Sequence, residues 1–310
     1  MKSEHTDKIA KLAYDNYVSP VEQNQILFNH AVLCQVYFPY RDPGDEVKDW
    51  VRQQGKAYFA IRSTEIFNPK TEAFDHRLGL PFGPKARLIL TYINTLALQQ
   101  KSATIEVEGS ITSFVKSLGL SHNGHQISAI KNQLARLAAS TISIAFAQSE
   151  NRSYQVDSKI IKGFDLWFPK EPNQRVMWDS NIILSDDYFN SLMNHAVPLD
   201  KRHLGALANN AMALDVYTWL AQRLHRIEVS RPEFVHWQGL KDQFGEGYSR
   251  IDKFKHVFRH TLKLVLSQYT TAKIEEDLNK GFYLYNSQPP VPPKLISIPK
   301  AGEIIKSITK

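Results

Sequence analysis

Residues 250–263, RIDKFKHVFRHTLK, hold five Lys or Arg, two His and a single Asp. Side chains of this kind neutralise phosphate, and Arg can read a guanine edge through paired hydrogen bonds. In a helix, Ile251, Phe254, Phe258 and Leu262 fall on one face at spacings of three and four. Lys253, His256, His260 and Lys263 line the opposite face, with Arg250, Lys255 and Arg259 at its edges. Such a helix can dock on a core with one side and present charge to a polyanion with the other. The plain alternative is a solvated face, but seven basic side chains of fourteen against one acid exceeds the usual bias of such faces. The neighbouring residues must position this helix. Before it, FVHWQGLKDQFGEGYS is apolar-periodic and predicts a short helix ended by Gly245 and Gly247. After it, TTAKIEEDLNKGFYLYN predicts two strands around a hairpin turn at Asn279-Lys280-Gly281. Helix, turn, basic helix and hairpin is the order of a winged helix-turn-helix, in which the second helix enters the major groove.

Composition narrows the classes. The 310 residues suffice for two domains, and 43% hydrophobic with 11% aromatic content suffices for real cores. The net charge of +7 favours a polyanionic partner, nucleic acid first. Cys34 is the single cysteine, so an intrachain disulfide and a cysteine zinc site are excluded, and its apolar run AVLCQVYF predicts a small buried hydrophobe. No stretch is long and apolar enough to span a bilayer, and MKSEHTDKIAKLAYDN lacks a signal-peptide core. The expectation is a soluble, cytoplasmic protein.

Motifs for catalysis and cofactors are missing. There is no GxxxxGK[ST] phosphate loop, and no His-apolar-His pair of the kind that holds the metal of DNA-nicking enzymes. The thirteen tyrosines are therefore expected in cores, on surfaces or in stacking. Asp186 and Asp187 follow Ser185 and suit the first turn of a helix. Glu275, Glu276 and Asp277 sit on a strand whose alternate side chains diverge, poor geometry for two metals. His122 and His125 flank a turn and could touch DNA or solvent. No enzyme activity, cofactor or metal is expected.

The layout recurs. Gly83-Pro84 opens a helix; IEVEG is a short strand; SITSFVKSLGLS is a short helix stopped at Gly119. Ser121 to Gly124 form a turn, and Gln126 to Ser140 a second helix with Ile127, Ile130, Leu134 and Leu137 inward. TISIAFAQ and YQVDSKIIKGFDLWF form strands. The second copy begins with a long helix, Arg202 to Ile227, and a strand EVS before the basic helix and hairpin. The shared order predicts an α+β, mostly helical chain of two tandem winged helix-turn-helix domains. The expected boundaries are an N-terminal extension at 1–54, a first domain at 55–184, a connector at 185–199, a second domain at 200–288 and a mobile Pro-rich tail at 289–310. Within 1–54, ILFNHAVLCQVYF reads as a strand and RDPGDEVKDW as a turn with a helical stub. On the first recognition helix the outward face holds Ser128, Ala129, Asn132 and Arg136, with Lys131 at its edge. It is small and weakly basic, suiting a groove or a protein interface equally.

GLPFGPKARLIL (79–90), VEGSITSFVKSLGLS followed by IKNQLARLAAS (107–140), ALDVYTWLAQRL (213–224) and FYLYNSQPPVPP (282–293) together resemble the RepA_C group of plasmid replication initiators, the RepA proteins of IncW-like plasmids. The resemblance covers roughly residues 55–293. It implies a plasmid-associated initiator whose monomers bind origin repeats (iterons) in double-stranded DNA and help open an AT-rich region. It also implies dimers that repress the initiator's own promoter, and contact with a host helicase or initiator. The first winged helix would carry dimerisation and backbone contacts, the second the main base contacts. Three rivals stay open: a repressor of the same fold, a nicking or priming enzyme, and a scaffold whose basic face meets an acidic protein.

Overall fold

Helix α1 (Gly83–Gln100) is buried on nearly every side, and the rest of the fold is arranged about it. The structure is a computed structural model that describes residues 10–16, 18–68, 72–76, 78–106, 113, 116, 123–149, 152–158, 160–163 and 181–295. Pro84 stands in the first turn of α1, where its missing N–H costs nothing. The buried polar side chains of α1 are satisfied within the fold, as burial requires. Thr95 Oγ1 donates to Thr91 O (2.7 Å) and accepts from Phe28 N (2.8 Å), and Asn94 Oδ1 accepts from Tyr188 Oη (2.8 Å).

Strand β1 (Ile26–His30) shows why two cores surround α1. Successive side chains of a strand point to opposite faces. Ile26 and Phe28 enter a first core, and Leu27 enters a second. Strands β2 (Asp49–Gln54) and β3 (Ala57–Ser63) follow, then a small hairpin, β4 (Ile66–Asn68) with β5 (Ala73–His76). After α1 come β6 (Thr104–Glu106), helix α2 (Gly124–Ala138), β7 (Ser140–Ser149), β8 (Arg152–Ser158), β9 (Ile161–Gly163) and β10 (Asn181–Leu184). An antiparallel sheet runs β2-β3-β7-β8, and a smaller one β6-β10-β9. Ile130, Leu134 and Leu137 of α2 pack into the first core, as their spacing predicts.

Helix α3 (Asp186–His195) starts at Ser185, whose Oγ caps Tyr188 N, with Asp186 and Asp187 in its first turn. Strand β11 (Ala196–Asp200) pairs antiparallel with β1. Helices α4 (Lys201–Leu207) and α5 (Ala211–Arg223), strand β12 (Glu233–His236), helices α6 (Trp237–Phe244) and α7 (Ile251–Gln268), and strands β13 (Ile274–Asp277) and β14 (Gly281–Leu284) complete the second half. Its sheet runs β12-β14-β13, antiparallel throughout. The chain is thus of mixed helix and strand.

The structure departs from the sequence pattern in several places. The long helix over Arg202–Ile227 is broken: Asn210 leaves the helical region (φ −128°, ψ 105°) and its Oδ1 caps Ala213 N at 3.1 Å. An Asn side chain competes with the backbone ladder in this way. Glu228–Ser230 is a turn, closed by Arg231 N to Glu228 O at 3.1 Å, and the strand comes later, at Glu233–His236. Phe234 and Val235 therefore belong to a strand rather than to the start of a helix, and the Phe234 ring packs at a tilt against Tyr283 of β14 with centroids 4.7 Å apart. RDPGDEVKDW forms turns leading into β2, with no helical stub. The proposed boundary at residue 54 falls in the turn of the β2–β3 hairpin, so residues 21–54 are integral to both cores. The tail expected from residue 289 begins packed: Val291 is 0% exposed in the first core, and Tyr269 Oη donates to Gln288 O at 2.8 Å. Residues 296–310, the helix at SITSFVKSLGLS apart from positions 113 and 116, and His122 lie outside the described residues. Cys34 is fully buried, and burial pushes its thiol up.

Candidate nucleic-acid interface

Helix α7 runs five residues beyond the basic stretch. Phe254, Phe258, Leu262 and Val265 hold its inner side in the second core. Trp237 at the start of α6 meets Phe258 edge-on (5.9 Å), Phe282 of β14 meets Trp237 (5.0 Å), and Phe244 meets Phe258 (5.6 Å). This aromatic cluster locks the rotation of α7 about its axis. Ile251, expected inward, is 38% exposed because the helix only begins there.

With the inner side fixed, Lys253, His256, His260 and Lys263 all stand exposed on the outer side. The edge cations behave differently. Lys255 Nζ and Arg259 Cζ lie 5.2 and 5.0 Å from the Trp237 ring centre, a cation–π arrangement. Arg259 also donates from Nε to Glu276 Oε1 of β13 (2.7 Å) and from Nη2 to Leu278 O (3.5 Å), tying the hairpin to α7. Arg250 forks onto Asp252 at 3.0 and 2.6 Å, and this exposed contact holds the Asp252 carboxyl below its usual range. The acids of β13 are all engaged. Glu275 accepts from Tyr285 Oη (2.6 Å), Glu276 pairs with Arg259, and Asp277 lies 3.9 Å from Lys280.

The first candidate helix presents another picture. Arg136 of α2 donates to Leu80 O (3.1 Å) and to both carboxylate oxygens of Asp42 (3.4 and 3.3 Å), and its side chain is 12% exposed. Its Nε donates to Asn132 Oδ1 (3.0 Å), and its guanidinium covers the Phe82 ring at 5.1 Å. Asn132 is exposed and Lys131 half-buried, with the Lys131 ammonium lowered by burial. His125 is exposed in the first turn of α2.

One feature of the interface's support was missed in the sequence. Arg87 of α1 and Asp215 of α5 form a buried bidentate pair (2.6 and 2.7 Å). Arg87 also donates to Phe38 O (2.7 Å) and Gly83 O (2.8 Å), joining the N-terminal segment to both halves. Burial raises the Asp215 carboxyl to about 6 although Arg87 pulls it down. A charge set among apolar residues in each of two helices, Arg87 in ARLIL and Asp215 in ALDVYTWL, was the available signal. Gln243 Nε2 to Gln35 O (3.0 Å) and Arg52 to Glu246 (3.0 Å) carry the same connection to the α6 end. Among the described residues no group of three or more His, Cys, Asp or Glu is placed to hold a metal ion, and no helix is long and apolar enough to cross a membrane.

The second half thus presents a half-buried helix with an exposed basic stripe, flanked by a short helix and a three-stranded antiparallel sheet. The family of plasmid-encoded RepA proteins, RepA_C, matches residues 80–238, half of the chain, and the protein belongs to that family. Among solved structures, a selenomethionine derivative of domains 2 and 3 of RctB is similar at a TM-score of 0.51 and 10% identity. That similarity covers 84% of this chain and 98% of that one, and concerns the fold. A second structure of RctB domains 2–3 is 11% identical at a TM-score of 0.49, over 82% and 95% of the two chains. No curated protein sequence matches the chain.

Proposed function

We propose that this protein is a replication initiator of its plasmid, acting by sequence-specific binding to repeats in double-stranded origin DNA and without catalysis of its own. The observation that carries the proposal is the stripe Lys253–His256–His260–Lys263, exposed on a helix whose opposite side is locked in an aromatic core. Membership of the RepA_C family supports the plasmid context. In this reading α6, α7 and the β12-β14-β13 sheet act as a winged helix, with α7 in the major groove. The half built on α1, α2, β7 and β8 acts as the second such unit, placing the protein on the duplex and meeting a second copy. Several copies on adjacent repeats strain the duplex where host replication proteins load, and the same binding at the protein's own promoter represses it.

Footprinting on the DNA flanking the protein's gene tests the proposal. Wild-type protein is expected to protect repeated sequences, with Lys253→Ala weakening protection, and a plasmid carrying those repeats is expected to replicate only with the protein supplied. Uniform affinity for all duplexes, or nicking of supercoiled origin DNA with Mg²⁺, would count against it.

A further inference from the structure

We infer that Leu278, at the tip of the β13–β14 hairpin, is a wedge that enters the minor groove and unstacks a base step beside the α7 contact. The inference rests on the proposed binding of duplex DNA by this half of the chain and gives it a means of deforming the duplex.

Leu278 is 70% exposed, and an isolated exposed Leu would mean little by itself. Its setting is what matters, because the tip is built rigidly. Lys280 N donates to Asp277 O (3.1 Å), and Asn279 N to Asp277 Oδ1 (3.3 Å). Trp237 N donates to Lys280 O (2.9 Å), and Arg259 Nη2 to Leu278 O (3.5 Å). The strand after the turn lies against β12 so closely that a Cβ on Gly281 would fall 2.0 Å from Val235 O. The tip is therefore fastened to the start of α6 and the middle of α7, and its side chain is held out from a fixed base.

Its flanks suit a groove. Asn279 and Lys280 are exposed; Asn279 offers an amide for minor-groove acceptors, and Lys280, 3.9 Å from Asp277, offsets the charge of that acid at the tip. The carboxylates of Glu275 and Glu276 are drawn to Tyr285 and Arg259. Arg259 precedes His260 of the exposed stripe, so the hairpin tip and the stripe lie side by side. Apolar side chains inserted from the minor groove partly unstack a step and kink the duplex, most easily at pyrimidine–purine steps.

The test uses the full chain and a duplex fragment from the DNA flanking its gene, with 2-aminopurine placed in turn through the protected flank. Wild-type protein is expected to brighten the probe at one step. Leu278→Ala should abolish that signal while keeping affinity within about tenfold, and Leu278→Phe, which preserves a wedge, should retain it. A Leu278→Ala protein that brightens the probe like wild type overturns the wedge and leaves DNA binding standing. So does unchanged fluorescence with altered self-association in sedimentation, which would assign Leu278 to a protein contact. Wild-type protein that binds no duplex overturns both.

Discussion

Helices α2 and α7 are each followed by an antiparallel strand pair, β7–β8 and β13–β14, but their cations have different partners. Arg136 of α2 is bound by Asp42, Leu80 and Asn132, so the most basic group of that helix is committed to holding residues 42 and 80 in place. On α7 the edge cations Lys255 and Arg259 are drawn to Trp237 and the hairpin, which leaves Lys253, His256, His260 and Lys263 exposed. The number of charges on a helix therefore says less about nucleic-acid contact than whether the fold already uses them. The sheets differ too. In the second half β12 joins the hairpin directly, whereas in the first β6 pairs with β10 and the β7–β8 hairpin extends a sheet begun by β2 and β3. Among the described residues the two halves share a helix followed by a strand pair, but not a pattern of strand pairing.

The joint between the halves is the place most sensitive to substitution. Asp215→Ala leaves Arg87 buried and unpaired, and should cost about 3–5 kcal/mol, read by urea unfolding. Because Arg87 touches the N-terminal segment and both halves, the two should still unfold in one transition at a lower midpoint. A wild-type midpoint would mean that the halves stand without this pair.

Acid should weaken both halves through a different residue in each. His30 is buried beside Ser191, and desolvation, with His195 adding to it, lowers its imidazole to about 3. Val32 N donates to Nδ1, so Nε2 carries the proton and donates to Ser191 Oγ (2.9 Å). His203 lies against Tyr217 in the second core, where desolvation lowers it to about 4. Each is depressed below the usual 6.5, so its contribution is intact above that pH and lost as pH falls toward its folded value. At pH 5 each should cost about 2 kcal/mol. His30→Asn and His203→Asn should each flatten part of the decline between pH 6.5 and 4. Equal slopes in both variants and wild type would refute the assignment.

Lys253→Ala and Arg136→Ala separate the two helices directly. Lys253→Ala should leave the melting temperature unchanged and cost about 1–3 kcal/mol of duplex affinity if it reads a base. Arg136→Ala should lower the melting temperature with little effect on binding measured below it. The reverse pattern would move the interface to α2.

The amphipathic helices were legible because period and burial coincide: Ile130, Leu134 and Leu137, and Phe254, Phe258 and Leu262, face inward as their spacing predicts. The β13–β14 hairpin was legible from its turn residues, displaced by one position: the turn is Leu278–Lys280, and Gly281 opens β14. The N-terminal segment was not, because β1 finds its partner β11 about 170 residues away and its alternation serves two cores at once. The break at Asn210 rests on a side-chain cap that apolar periodicity does not register. At the site, the charge of α7 could be counted from the chain, but the removal of Arg250, Lys255 and Arg259 from the free set depends on Asp252, Trp237 and Glu276, known only once the fold is formed.

At the entrance to α7 a milder change is expected. Arg250 is the N-terminal flank of the helix, where recognition helices reach base edges, but its guanidinium forks onto Asp252 in full exposure. A surface pair of this kind contributes little to stability, so breaking it should not unfold anything. Asp252→Asn removes the one acid in the basic stretch and weakens its hold on Arg250. Duplex affinity should then rise by about two- to threefold at low salt, and the gain should shrink as salt screens the charge. Arg250→Ala should weaken binding less than Lys253→Ala, since Arg250 must first leave Asp252. If Asp252→Asn leaves affinity unchanged at every salt concentration, the first turn of α7 lies away from the phosphates. The contact would then be centred on His256, His260 and Lys263.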